Sequence, residues 1–183
     1  MRNSIKTILG EIAQVFQEFD DAGVDQVAAL LLEAKRIFIA GEGRSGLMAK
    51  AFAMRLMHLG ANVYVVGETI TPSIQKGDTL IAVSGSGTTK TTIWAAEKAK
   101  QLGCNIIAFT TNLSSPLVHN ASLAIYVPAA TKYRREHEKE SVQPLSSLFD
   151  QCMHIIFDAI CLRYAELQNV QHDEALRQHS NLE

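Results

Sequence analysis

Two short stretches carry the residue types that handle phosphate. They are GEGRSG, from Gly41 to Gly46, and SGSGTT, from Ser84 to Thr89. Each follows an apolar run, IFIA or LIAV, and each leads into residues with helical periodicity. A helix start offers unpaired N–H groups and partial positive charge to an anion. Glycines such as Gly43 and Gly85 let the backbone approach it closely. Ser84, Ser86 and Thr89 add hydroxyl donors that can converge on phosphate oxygens. Arg44 and Ser45 add phosphate-seeking side chains, and Ser45 has the residue type of a helix N-cap.

Other ligands for the first loop fit less well. Gly41, Gly43 and Gly46 match the GxGxxG pattern of dinucleotide-binding folds. That fingerprint also needs a ribose-binding carboxylate at the end of the second strand, where only Glu68 stands. The second and third strands also lack an obvious helix between them, which breaks the usual βαβ unit. A triphosphate loop needs a Gly-Lys-Ser/Thr ending, which is missing.

The elements that must position these loops are legible from periodicity. Ile5, Ile8, Leu9, Ile12, Val15, Phe16 and Phe19 form one apolar stripe on an N-terminal helix. A second helix runs from about Val24 to Lys35. Strands are expected at 36–41, 62–67, 79–84, 105–110 and 123–127. Helices are expected at 45–59, 88–102 and 144–166, with a short one at 114–119. Leu145, Leu148, Phe149, Cys152, Ile156, Ala159 and Ile160 should face inward from the long last helix. Continuous apolar strands alternating with helices give a mainly parallel sheet covered on both faces. The fold class is α/β, a three-layer αβα sandwich around a five-stranded sheet, in one domain spanning 1–183. The two helices in 3–35 either cover the sheet or pack on another subunit. The stretch TKYRREHEKE, 131–140, reads as a solvated loop, with closure over a site as the alternative.

Composition narrows the function classes. The 183 residues carry a net charge of −2, with 47% hydrophobic and 20% charged residues. Such a chain has no electrostatic reason to take nucleic acid or an anionic membrane as its main partner. No apolar run is long enough to span a bilayer, and the N-terminus does not read as a signal peptide. The cysteines Cys104, Cys152 and Cys161 lack zinc spacing, and an odd count argues against a disulfide framework. They read as small buried residues in a reducing compartment, the cytoplasm. His119, His137, His154 and His172 share no metal spacing either, so no metal site is expected. Arg55 and His58 read as packing or interface residues.

The segments GEGRSGLMAKAFAMRLMHLG (41–60), VGETITP (66–72), SGSGTTK (84–90), QPLSSLFDQ (143–151) and HSNLE (179–183) resemble the SIS, or sugar isomerase, domain. Within that family they are most similar to the 6-phospho-3-hexuloisomerases. The resemblance implies a SIS-type, flavodoxin-like topology. It also implies interconversion of D-arabino-hex-3-ulose 6-phosphate and fructose 6-phosphate through an enediol. This is a step of the ribulose monophosphate pathway, serving formaldehyde fixation or pentose phosphate supply. It further implies no metal or organic cofactor, a homotetramer, and a functional link to 3-hexulose-6-phosphate synthase. The N-terminal helices and the segment 144–183 would then lie at subunit interfaces.

By similarity, Ser45, Ser84, Ser86 and Thr89 should bind the substrate phosphate, with Gly43, Arg44, Gly85 and Glu68 as further substrate contacts. The family places a glutamate base on its long helix, and here that position is Asp150. Aspartate is shorter by one methylene, roughly 1.5 Å of reach, and misplacing a base by about 1 Å can cost on the order of 100-fold in rate. Either the backbone compensates, or the base is another residue such as Glu68. His179 matches a C-terminal family histidine, the candidate acid or oxygen-proton shuttle, acting in its own chain or a neighbour. Two other readings stand beside this one: a non-catalytic phosphosugar sensor, and an isomerase of a different sugar phosphate.

Overall fold

The structure, a computed structural model, describes residues 3–136 and 138–182; Met1, Arg2, His137 and Glu183 lie outside it. Two helices open the chain, α1 (Ser4–Phe16) and α2 (Ala22–Glu33). Strand β1 (Ile37–Gly41) runs into α3 (Gly43–His58), followed by the short β2 (Val63–Val65). Then come β3 (Thr79–Val83), α4 (Lys90–Gln101), β4 (Asn105–Thr110) and β5 (Leu123–Tyr126). The long α5 (Ser147–Gln168) and a short α6 (His172–Arg177) complete it.

The five strands lie in the order β2-β1-β3-β4-β5 and every pair is parallel. Alternation along each strand divides the core in two. Ile37, Ile39, Ile81, Val83, Ile107 and Phe109 face α1, α2, α3 and α5, where Leu31, Phe52, Leu56, Ile156 and Phe157 complete the larger cluster. Phe38, Ala40, Leu80, Ala82, Ile106 and Ala108 face α4, through Ala96 and Ala99. Small residues on both sides let α4 sit close to the sheet. Both faces are covered, as the unbroken apolar strands require.

Strand β1 has β2 on one side and β3 on the other, so the chain reverses its direction of travel across the sheet there. Loops leaving the C-terminal ends of β1 and β3 therefore part in opposite directions and open a crevice. The two glycine-rich stretches are those loops.

Several local expectations are corrected. α3 begins at Gly43 with Glu42 as its N-cap residue, so Ser45 lies inside the first turn and its hydroxyl is released for other work. α5 begins at Ser147 rather than Pro144, and Leu145, expected inward, is 70% exposed. The 114–119 stretch forms only a 3-10 turn at Val118–Asn120, with Ser115 fully buried. α6 was not expected, because its six residues are too polar for periodicity to show; it starts with a capping box between Gln171 and Glu174. The 131–140 segment is an irregular loop, exposed at Lys132, Tyr133, Arg134, Glu136 and Glu140 as expected, but it is tied down at two points. The Glu138 side chain is 1% exposed, receives hydrogen bonds from the Thr131 N–H and hydroxyl, and pairs with Arg135 at 3.6 Å. Lys139 ties the segment to Glu18 of the neighbouring loop.

Candidate active site

The crevice holds a cavity of about 470 Å³, lined by the first loop, the second loop and the segment entering α5. Its size is that of a small-ligand site.

The first loop is fixed by backbone packing. A Cβ on Gly46 would stand 2.6 Å from the Gly41 carbonyl oxygen. These two glycines thus weld the start of α3 to the end of β1. Gly43 and Arg44 remain on the cavity wall. The Arg44 Nη1 donates to Ser147 Oγ at 2.9 Å, and Ser45 Oγ donates to Asp150 Oδ1 at 2.6 Å. The first turn of α3 is therefore clasped to the first turn of α5. Glu42 does not pair with Arg44; it accepts from Thr91 Oγ1 of α4 at 2.8 Å, joining the two sides of the crevice.

The second loop is a set of hydroxyls with protons to give. Ser84 Oγ and Thr89 Oγ1 lie 2.8 Å apart, a contact that uses one of their two protons. Ser86 Oγ accepts from Thr88 N–H at 3.2 Å and from Thr88 Oγ1 at 2.9 Å, which leaves its own proton to donate. The Gly85 carbonyl accepts from Thr110 and Thr111, holding the loop to the end of β4. A Cβ on Gly85 would press on the Phe149 ring at 3.1 Å, so this loop also packs on α5. Ser84, Gly85, Ser86 and Thr89 all line the cavity.

Asp150 projects from α5 into the same cavity and is only 3% exposed. Burial raises its carboxyl pKa above the usual range, opposed by the Ser45 hydrogen bond and the nearby Arg44 charge. The sequence expectations do not include Lys132, Ser146 or Ser147, which form the third wall. Lys132 N–H donates to Ser146 Oγ at 3.1 Å, so the charged segment and the α5 entry meet at the cavity. The signal for them was present in the adjacency of TKYRREHEKE and QPLSSLFDQ, but nothing local showed that the two would fold together over the crevice.

Two expected residues lie elsewhere. Glu68 pairs with Lys50 at 2.6 Å and lines a separate depression with Met54 and Met57. His179 stacks on His58 at 5.2 Å between ring centroids and 17° between planes. His58 ends α3 while Ser45 lies in its first turn, so at 1.5 Å rise per residue they are separated by about 20 Å. Within its own chain His179 is remote from Asp150. Of the pair Arg55 and His58, His58 is buried and Arg55 exposed, their side chains meeting at 3.5 Å. Cys104, Cys152 and Cys161 are all free and buried. Among the described residues no cluster of three His, Cys, Asp or Glu side chains could hold a metal, and no helix is long and apolar enough to cross a membrane.

Comparison with known proteins identifies the family. The SIS domain family matches residues 30–157. A Bacillus subtilis protein named 3-hexulose-6-phosphate isomerase is 40% identical, over 98% of this chain and 97% of its own length. A Mycobacterium gastri protein of the same name is 39% identical, over 99% and 90%. A crystal structure from Methanococcus jannaschii, for which a molecular function of 3-hexulose-6-phosphate isomerase was inferred, superposes with a TM-score of 0.85 at 34% identity, covering 100% of both chains. The chain belongs to the SIS domain family, in the group of the 3-hexulose-6-phosphate isomerases.

Proposed function

We propose that the protein is an isomerase that interconverts D-arabino-hex-3-ulose 6-phosphate and fructose 6-phosphate. The observation that carries this is a buried carboxylate, Asp150, in one cavity with a cradle of hydroxyl donors at a helix start. The cradle holds the phosphate through Ser84, Ser86, Thr89 and the first turn of α4, with the cations of Arg44 and Lys132 on the opposite walls. A phosphate anchored there fixes the sugar chain relative to α5.

The chemistry then needs one base and donors for an enediolate. Asp150 takes the proton from C2, the carbonyl oxygen at C3 gains a proton, and a 2,3-enediol forms. Return of a proton to C3 and loss of the O2 proton give the C2 ketone, with no net oxidation. A raised carboxyl pKa makes Asp150 a better base than a solvated aspartate, because its ionised form is the less stabilised one. Arg44 lies beside it to offset the charge of the enediolate.

We also propose a homotetramer in which His179 serves the site of a neighbouring subunit. Its distance from Asp150 along α3 supports this. So do the exposed apolar side chains Leu47, Met54 and Met57 on α3 and Leu162 on α5. On the same reading 3–35 and 144–183 lie at subunit contacts of a single-domain, cytoplasmic enzyme, working next to a 3-hexulose-6-phosphate synthase.

A coupled assay of fructose 6-phosphate formation from hex-3-ulose 6-phosphate tests the reading. Folded protein without activity would overturn it. Asp150→Asn should abolish turnover and leave fructose 6-phosphate binding largely intact; turnover that survives would move the base elsewhere.

A further inference from the structure

We infer that Ser45 is a positioning residue that holds and orients the Asp150 carboxylate, and is not a ligand of the substrate phosphate. This rests on Asp150 being the base of the proposed reaction.

A serine hydroxyl has one proton. In Ser45 it is donated to Asp150 Oδ1 at 2.6 Å, a short bond to a carboxylate. What remains on Ser45 Oγ is acceptor capacity, and a phosphate dianion offers only acceptors. The hydroxyls of the second loop differ: Ser86 keeps its proton, and Ser84 and Thr89 keep one between them. The two loops thus divide the work, the second taking the phosphate and the first setting the base.

The packing around Ser45 suits that task. Gly46 is locked against the Gly41 carbonyl, so the α3 turn that carries Ser45 cannot drift. On the other side Phe149, fully buried, lies against Gly85 and fixes the first turn of α5. Arg44 to Ser147 at 2.9 Å is a second clasp one residue away. Ser45 therefore spans two rigid elements, and an aspartate shorter than glutamate is kept in one rotamer. With Oδ1 engaged, Oδ2 is the oxygen left to take the carbon-bound proton.

Ser45→Ala and Ser45→Thr, compared with the wild-type enzyme, test this. Ser45→Ala should lower kcat by roughly 10- to 100-fold, the range for a hydrogen bond to a charged group and a loosened base. KM and the calorimetric Kd for fructose 6-phosphate should change less than about threefold, because no phosphate contact is lost. The acid limb of the kcat/KM profile should move to higher pH, since a carboxylate without its donor is harder to ionise. Ser45→Thr, which keeps the hydroxyl, should restore most of kcat and return the limb. A raised KM and Kd with kcat unchanged would overturn the inference and make Ser45 a phosphate ligand. An unmoved acid limb would overturn it as well. If the wild-type protein lacked isomerase activity, the proposed reaction would fail, yet NMR titration of the Asp150 carboxyl in the Ser45→Ala protein would still report on the contact. A titration identical to wild type would then refute it.

Discussion

Gly87→Ala should destabilise the Ser84–Thr89 loop by an amount that can be built from two parts. Gly87 has φ +66°, in the left-handed region, where any other L-residue pays about 1–2 kcal/mol. A Cβ there would also overlap the Cβ and Oγ of Ser115 and stand 3.1 Å from Thr110 Oγ1. Ser115 is fully buried and cannot swing out, so the overlap adds an overpacking cost of about 1–3 kcal/mol. The sum, about 2–5 kcal/mol, corresponds to a Tm loss of roughly 4–20 °C for a chain of this size. Gly103→Ala isolates the first part. Its φ is +73°, but a Cβ would meet only the Lys76 side chain, at 3.8 Å. That variant should lose about 1–2 kcal/mol and roughly 2–8 °C. Adding Ser115→Gly to Gly87→Ala should recover the steric share and leave the conformational one. The Ser115 hydroxyl has no hydrogen-bond partner, so removing it forfeits little. Calorimetric melting of the four proteins is the assay. The reasoning is refuted if Gly87→Ala melts no lower than Gly103→Ala, or if Ser115→Gly recovers nothing.

Other outcomes follow from the same structure. Ser86→Ala should raise KM by roughly 10- to 150-fold, the loss of a hydrogen bond to a charged group, with a smaller change in kcat; steady-state kinetics would read it. Asp150→Asn should be more stable than wild type at neutral pH, because burial penalises the ionised carboxylate. The raised folded-state pKa costs stability as pH rises from the unfolded carboxyl value, about 3.9, through the folded value, so the two melting curves should converge in acid. His58 behaves in the opposite sense. Burial first, then the charges of Arg55 and His179, lower its pKa, so the unfolded chain binds the proton more readily. Stability should fall as pH drops below about 6.5, and His58→Gln should flatten that limb of a Tm-against-pH series.

Much of the fold was legible because it is written at short range. Unbroken apolar runs in IFIA, LIAV and IIAF, with helical periodicity between them, point to strands buried on both faces and to crossover helices. The loops GEGRSG and SGSGTT were legible for the same reason, each being one strand end and one helix start. The sequence was silent where contacts are long-range. Whether Ser45 meets phosphate or Asp150 depends on two helix starts separated by about a hundred residues. The departure of Glu68 to Lys50, and the arrival of Lys132 at the cavity, are equally non-local.

By itself, then, the sequence determined an α/β chain with two glycine- and hydroxyl-rich loops at strand ends. Tertiary structure decided which groups meet there. It packed Gly46 against the Gly41 carbonyl as a helix–strand weld. It committed the Ser45 proton to a carboxylate, and it put His179 at the far end of α3. The physical reason is that propensity and burial pattern act on neighbours along the chain. The direction of a proton, the pKa of a buried acid and the lining of a cavity are set by whatever the fold packs beside them.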